Sequence, residues 1–215
     1  MNNQTIKFNL LKRFIVLVIG LMIMALGVSF SLKASLGTSP ISSVAYVISL
    51  FCPLSVGTAT ICLHCIFIAL QILILRKNYK LVQLLQLPMA FIFGYLTDFS
   101  IWVIKGINYS SYWQQWILCI VGILLVAIGV SLEVYANIVP LAGEGLILAI
   151  CKVTPIKFAY MKVIFDVSLV VIACILSFIF MNDIYGVREG TVAAAIFVGL
   201  VVKQINKYWG GRHGK

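Results

Sequence analysis

Apolar and polar positions along this chain come in long blocks, not in short periods. Eight apolar segments run Phe14–Leu32, Ile41–Leu54, Val56–Leu75, Leu84–Ile104, Trp116–Leu132, Leu146–Ile156, Phe158–Phe180 and Gly190–Val202. Blocks of this kind predict helices that are apolar on all sides, as lipid requires. A helix that crosses a bilayer needs about 20 apolar residues, whereas runs of about 10–14 are re-entrant or core pieces. The second and sixth segments fall in the short class. Each follows loop chemistry, "SLGTSP" before one and "NIVPLAGEG" before the other, and glycine with proline marks broken helix there.

The two short segments are also related in sequence. A shift of 102 residues lays "VIGLMIMALGVSFSLKAS" on "IVGILLVAIGVSLEVYAN": Gly20, Ala25, Gly27, Val28, Ser29 and Ala34 match Gly122, Ala127, Gly129, Val130, Ser131 and Ala136, and Pro53 falls on Pro155. With a slightly longer shift "AFIFGYL" resembles "AIFVGLV". The pattern reads as two membrane repeats, 1–106 and 113–215, forming one integral membrane domain. Internal repeats are a common plan in transporters.

Composition agrees: 62% of the 215 residues are hydrophobic, 10% are charged and the mean hydropathy is +1.10, against about a quarter charged in soluble domains. The fold class is therefore an all-α, polytopic membrane protein whose main partner is the lipid bilayer. No cleavable signal is evident, so the first apolar segment reads as a retained span. The net charge of +10 comes from clusters at the N-terminus, at "RKNYK" (76–80) and in the tail "KQINKYWGGRHGK". Such clusters flank apolar spans on the cytoplasmic side, and nucleic acid is not the expected partner. They also bear on topology. Eight spans in two parallel 4+4 halves would leave Arg76, Lys77 and Lys80 outside. Six spans in inverted 3+3 halves, with two short re-entrant half-helices, keep "RKNYK" and both termini inside. The inverted arrangement is preferred, although Lys105 favours the other.

The six cysteines lie mostly in apolar runs and pack there as small hydrophobes. In "CLHC" (62–65), Cys62 and Cys65 share a helix face while His64 points elsewhere, so no metal site is expected.

The chain resembles the YczE/YitT-like family of bacterial membrane proteins. The residues that carry the resemblance are "GTSPISSVAYVIS" paired with "GVSLEVYANIVPLAGEGLILAI", then "KVIFDVSLVVIA" and "GVREGT". The resemblance implies a multi-pass protein of the bacterial plasma membrane with a duplicated hydrophobic domain. It implies no substrate and no active site.

Candidate chemistry sits where polar groups interrupt the apolar segments. At the 102-residue shift Ser31 falls on Glu133, Ser42 on Glu144 and His64 on Asp166, so one half is acidic where the other is neutral. An ionisable residue inside a membrane is a functional candidate by default. Glu144 lies in "GEG" at the expected start of the sixth segment, where free N–H groups and the helix dipole favour a carboxylate; it caps its own helix, serves as a proton, cation or solute site, or pairs with a lysine elsewhere. Glu133 either reaches headgroup water or joins that site together with Asn137. Asp166 has Lys162 four residues earlier, at ion-pair spacing. His64 is either a packed structural histidine or a proton relay. Thr38, Ser39 and Ser42 offer hydroxyls at the start of the other short helix, or simply cap it, with Pro40 suited to its first turn. Arg188 and Glu189 read as interface charges, with a pairing of Arg188 to Asp166 or Glu133 as the alternative. Gln71, Gln83 and Gln86 edge the third and fourth spans, Pro88 is expected to kink the fourth, and Trp102, Trp113 and Trp116 form an interfacial belt.

These features favour a secondary transporter of a small polar or charged solute, with protons as coupling ions through Glu144 or Asp166. A passive channel and a membrane accessory for an export, biosynthetic or sensing system are the alternatives. No HExxH, suitable GxSxG or Walker loop is present, so neither an enzyme nor a cofactor is expected. Gly20 and Gly27 can pack a homodimer or join the two halves of one chain.

Overall fold

The structure is a computed structural model. It describes residues 3–210, with side chains from Leu10 to Tyr208; residues 1–2 and the end of the basic tail, 211–215, lie outside the described residues. Eight α-helices follow in order: α1 (Asn3–Ala34), α2 (Pro40–Phe51), α3 (Val56–Leu75), α4 (Gln86–Val103), α5 (Tyr112–Ala136), α6 (Ala142–Val153), α7 (Phe158–Met181) and α8 (Glu189–Gly210). Six of them supply stretches long and apolar enough to cross a bilayer. The other two, α2 and α6, have 12 residues each. At about 1.5 Å per residue each is about 18 Å long, too short for a hydrocarbon layer of about 30 Å.

Local sequence explains the ends. Pro40 opens α2 in its first turn, where a missing N–H costs nothing. Asn137 and Asn182 end α5 and α7 in the left-handed conformation that asparagine tolerates. Pro88 lies in the first turn of α4, not in its middle. The expected kink is therefore absent there, and the irregularity falls just before α4, in a 3-10 stretch at Leu81–Leu85.

The most extensive contact in the molecule is between α1 and α5. The two helices meet backbone to backbone. A Cβ on Gly27 would lie 2.6 Å from the Val126 nitrogen and 2.7 Å from the Gly122 oxygen. A Cβ on Gly129 would lie 2.6 Å from the Gly20 oxygen. Gly20 thus faces Gly129 and Gly27 faces Gly122, as two antiparallel helices with glycines at equal spacing require.

Around this axis α4 packs on α1, and α8 packs on α5. The two short helices sit inward: α2 against α7 and α3, α6 against α3 and α7. Their buried faces join one apolar cluster containing Val44, Val47, Phe67, Leu146, Ile147 and Phe165. The outer faces are apolar and exposed, as Val163, Val167, Val171, Ile175 and Phe178 on α7 illustrate. Such a continuous apolar face suits lipid and not water. Trp102 and Trp113 are exposed, whereas Trp116 packs against the cluster of Leu36, Cys119 and Ala194.

The close crossing generates a prediction. Gly27→Ala should destabilise the protein by about 2 kcal/mol, the usual cost of overpacking against backbone that cannot yield. Gly199→Ala, where nothing lies within 4 Å of the added carbon, should be neutral or slightly stabilising because alanine favours helix. Thermal unfolding in detergent checks the pair; equal midpoints for the two variants would contradict the role of the crossing.

Candidate functional site

Polar groups in the interior are costly unless they find partners. The structure gathers them around one cavity of about 350 Å³. Its polar lining is Ser39, Ser42, His64, Glu133, Glu144, Lys162 and Asp166. They come from five elements: Ser39 and Ser42 from the start of α2, His64 from the middle of α3, Glu133 from the last turn of α5, Glu144 from the first turn of α6, and Lys162 and Asp166 from α7. Apolar side chains of α1, α4, α5 and α8 complete the wall, Phe93 and Val198 among them.

The two glutamates exchange the parts that their spacing suggests. Helix α6 starts at Ala142, four residues before the apolar run Leu146–Ile156. Glu144 therefore lies within the first turn, and it makes no side-chain cap. The carboxylate that reaches this helix start belongs to Glu133, whose Oε1 accepts the Leu141 N–H at 2.6 Å. Glu133 is 4% exposed, so it does not reach headgroup water. Its chain end is fixed from α1: Arg13 Nε donates to the Ala136 oxygen at 2.7 Å and Arg13 Nη2 donates to the Asn137 oxygen. Asn137 takes part through its backbone as the left-handed cap of α5 and does not line the cavity.

On α7, Lys162 Nζ donates to Asp166 Oδ1 at 2.8 Å, the i,i+4 pair that the spacing predicts. Both groups also face the cavity. Arg188 pairs with neither Asp166 nor Glu133. It sits at the surface, donating to Glu189 at 3.2 Å and to the Ser35 oxygen at 3.2 Å. Nearby, the side chains of Tyr109 and Ser35 are hydrogen-bonded at 3.0 Å, and hydrogen bonds that Ser35 and then Gln115 can donate to the phenolate lower the Tyr109 pKa from the usual tyrosine value.

His64 is 2% exposed, flanked by the rings of Phe67 and Phe93 at 6.2 and 6.1 Å. Its Nδ1 is buried with no hydrogen-bond partner. Ser39 does not cap α2 with its side chain; its Oγ donates to Ser42 Oγ at 2.9 Å. Thr38 is buried with an unpartnered Oγ1 and stands outside the cavity lining.

Two polar clusters escaped the sequence reading. Gln71 and Gln86 are fully buried beside the start of α6, with Gln71 Nε2 donating to Gln86 Oε1 at 2.8 Å and to the Ala142 oxygen at 3.0 Å. A side chain at Gly145 would collide with this pair. The sequence places both at the edges of the third and fourth spans; the structure buries them, because α3, α4 and α6 meet there. The second cluster is a clasp between α3 and α4. Asp98 accepts from the Gly57 N–H at 2.8 Å and from Ser55 Oγ at 2.6 Å. Gly57 and Gly94 lie so close that a Cβ on Gly57 would fall 2.1 Å from the Gly94 oxygen. A carboxylate on a helix N-terminus is favoured by free N–H groups and the dipole.

On the other side, α7 and α8 both line the cavity yet scarcely meet among the described residues. Gly199, on the cavity wall of α8, faces open space. Helices α3 and α4 are thus held together by a clasp, while α7 and α8, which both line the cavity, are not. Asp98→Ala should lower stability by about 1–2 kcal/mol, the range for loss of a helix cap. Asp98→Asn should recover part of that loss, because its side-chain oxygen can still accept from Gly57. Unfolding midpoints in detergent would check this; an unchanged midpoint in Asp98→Ala would mean the clasp carries no stability.

Comparison with known proteins comes to three findings. No solved structure matches this chain. The "Uncharacterized protein YyaS" of Bacillus subtilis (strain 168) is 31% identical over 117 residues, which is 54% of this chain and 56% of that protein, so the match spans little more than half of the relative's length. The model of a family of unknown function, DUF6198, matches residues 11–207. That match takes in α2 to α7 entirely, most of α1 and α8, and every residue of the cavity, and the chain belongs to the DUF6198 family.

Proposed function

We propose that this membrane protein is a secondary transporter that carries a small polar or charged solute through the cavity, with Glu144 and Asp166 as the groups through which protons couple. The observation that carries this reading is the cavity itself: three carboxylates and a lysine brought together between the starts of two helices too short to span. Broken helices that meet inside a membrane and present polar groups are how transporter sites are built. No catalytic role is assigned to any residue.

The reading includes two inverted repeats, 1–106 and 113–215. It is supported by the crossing of α1 with α5, where Gly20 and Gly27 meet Gly129 and Gly122, the residues aligned with each other's partners. It is supported too by the way α2 packs on α7 as α6 packs on α3. The halves differ where a transporter must differ between states. Ser55 and Lys157 are the N-caps of α3 and α7. At these aligned places, the clasp of Ser55, Gly57 and Asp98 has Lys157, Ala159 and Lys203 as its counterparts. Two lysines stand where serine and aspartate join. Alternating access would close α7 on α8 while α3 parts from α4.

The same proposal places the chain in the bacterial plasma membrane with both termini cytoplasmic, on the distribution of lysine and arginine. It places it also near the YczE/YitT-like proteins, on the motifs "GEG" and "GVREGT".

Two experiments test it. In a cysteine-free background, a cysteine at Lys80 should resist an impermeant maleimide until cells are opened; labelling in intact cells would overturn the inverted topology. Spin labels at Tyr160 and Lys207 should report two distance populations between α7 and α8, with their ratio changed in Glu144→Gln. A single population, indifferent to that substitution, would remove alternating access and leave a static bundle.

A further inference from the structure

The chemistry of the cavity says more about its occupant than that it is polar. Three carboxylates face it and one ammonium. Lys162 is already engaged by Asp166 at 2.8 Å. Glu133 has a single backbone donor, the Leu141 N–H. Among the described residues, none hydrogen-bonds the side chain of Glu144. Two carboxyl groups are therefore left without a cationic partner in a space walled by hydrocarbon. In low dielectric such groups either hold their protons or ionise against a positive partner that enters beside them.

A metal ion is a poor partner. Among the described residues no group of three or more His, Cys, Asp or Glu side chains converges closely enough to hold one. The carboxylates are spread around the cavity wall, not gathered on a point. A cavity of about 350 Å³ also greatly exceeds the space of one water, about 30 Å³. Its remaining walls are apolar: Val28, Phe93, Val126, Phe158, Val163 and Val198. A second, independent observation concerns His64. Its side chain lines the cavity, is 2% exposed and leaves Nδ1 without a partner, between two phenylalanine rings of which one, Phe93, is itself in the wall. An ammonium group that enters this space meets the imidazole and the Phe93 ring in its wall, and an aromatic face suits a cation.

We propose that the cavity binds a small organic cation, an amine with an apolar body, whose ammonium group sits between Glu133 and Glu144 while its hydrocarbon part lies against Phe93, Phe158 and α8. This assignment rests on the reading of the cavity as a solute site and names the class of solute. The excess of carboxylate selects the charge, and the hydrocarbon walls select against small hydrated ions, whose water shell they cannot replace. The opening between α7 and α8, bounded by exposed apolar side chains such as Val163 and Phe197, gives such an amphiphilic cation a way in.

The test is binding by the purified full chain in detergent, with radiolabelled phenethylammonium in equilibrium dialysis. Phenethylammonium should bind saturably, and 3-phenylpropanoate, of similar shape and opposite charge, should neither bind nor compete. Glu144→Gln and Glu133→Gln, each checked for an unchanged elution volume, should weaken binding at least tenfold. Glu189→Gln, at the exposed surface, should leave it unchanged. Absence of phenethylammonium binding, competition by 3-phenylpropanoate, or full binding by both cavity variants would overturn the assignment. Counterflow of the same amine in proteoliposomes then separates the two claims. Binding without counterflow keeps the cation site and removes transport. A fixed distance between α7 and α8 does the same. Two distance populations without amine binding keep alternating access and remove the cation.

Discussion

Everything in this bundle is hung on the crossing of α1 and α5. In lipid there is little hydrophobic drive to bring two helices together, so association depends on close van der Waals contact and on what small residues permit. Glycines 20, 27, 122 and 129 remove the side chains at the contact, and the backbones meet. Fixing these two helices fixes the last turn of α5, which Arg13 holds through the oxygens of Ala136 and Asn137. That turn carries Glu133. The cavity's most buried carboxylate is thus positioned by the same contact that organises the fold, and it in turn meets the Leu141 N–H at the entry to α6.

The electrostatics of the interior follow from what the short helices leave undone. A helix of 12 residues that begins inside the molecule brings unsatisfied N–H groups with it. Glu133 satisfies one of them from another helix, which leaves Glu144, in the first turn, facing the cavity without a hydrogen bond. At the start of the opposite short helix the polar groups are neutral and Ser39 does not cap it: Ser39 and Ser42 hydrogen-bond to each other, and Ser43 donates to the oxygens of Thr38 and Gly186. One end of the cavity is acidic and the other hydroxylic because the two helix starts carry different residues.

The sequence made some of this legible and concealed the rest for physical reasons. Apolar block lengths reveal the two short helices and five of the long ones, since hydrocarbon thickness sets those lengths directly; the eighth block, Gly190–Val202, understates α8, which continues into the polar tail. Spacing predicts the Lys162–Asp166 pair because both residues lie on one helix. Contacts between helices are another matter. Nothing local says that Glu133 and not Glu144 reaches the start of α6, nor that Asp98 crosses to the start of α3, because both depend on which helices are neighbours. The Gln71–Gln86 pair escaped for the same reason: each glutamine looks like an interfacial residue until α3, α4 and α6 are seen to bury both. Pro88 was misplaced because the start of α4 lies two residues before it, a boundary that hydropathy blurs.

The contrast between the two sides of the cavity is where fold and chemistry meet. A carboxylate at a helix N-terminus, a serine and two apposed glycines hold α3 to α4. None of these is available between α7 and α8, where Lys157 and Lys203 stand at the aligned places and Ala159 replaces one glycine. Under the duplicated reading, the asymmetry is then written into side chains rather than into topology. Backbone contacts of α1, α5 and the short helices can stay equivalent in both halves while the lateral contacts differ. Such a division suits a fixed site with unequal sides, because the groups that line the cavity need not move when a lateral contact closes.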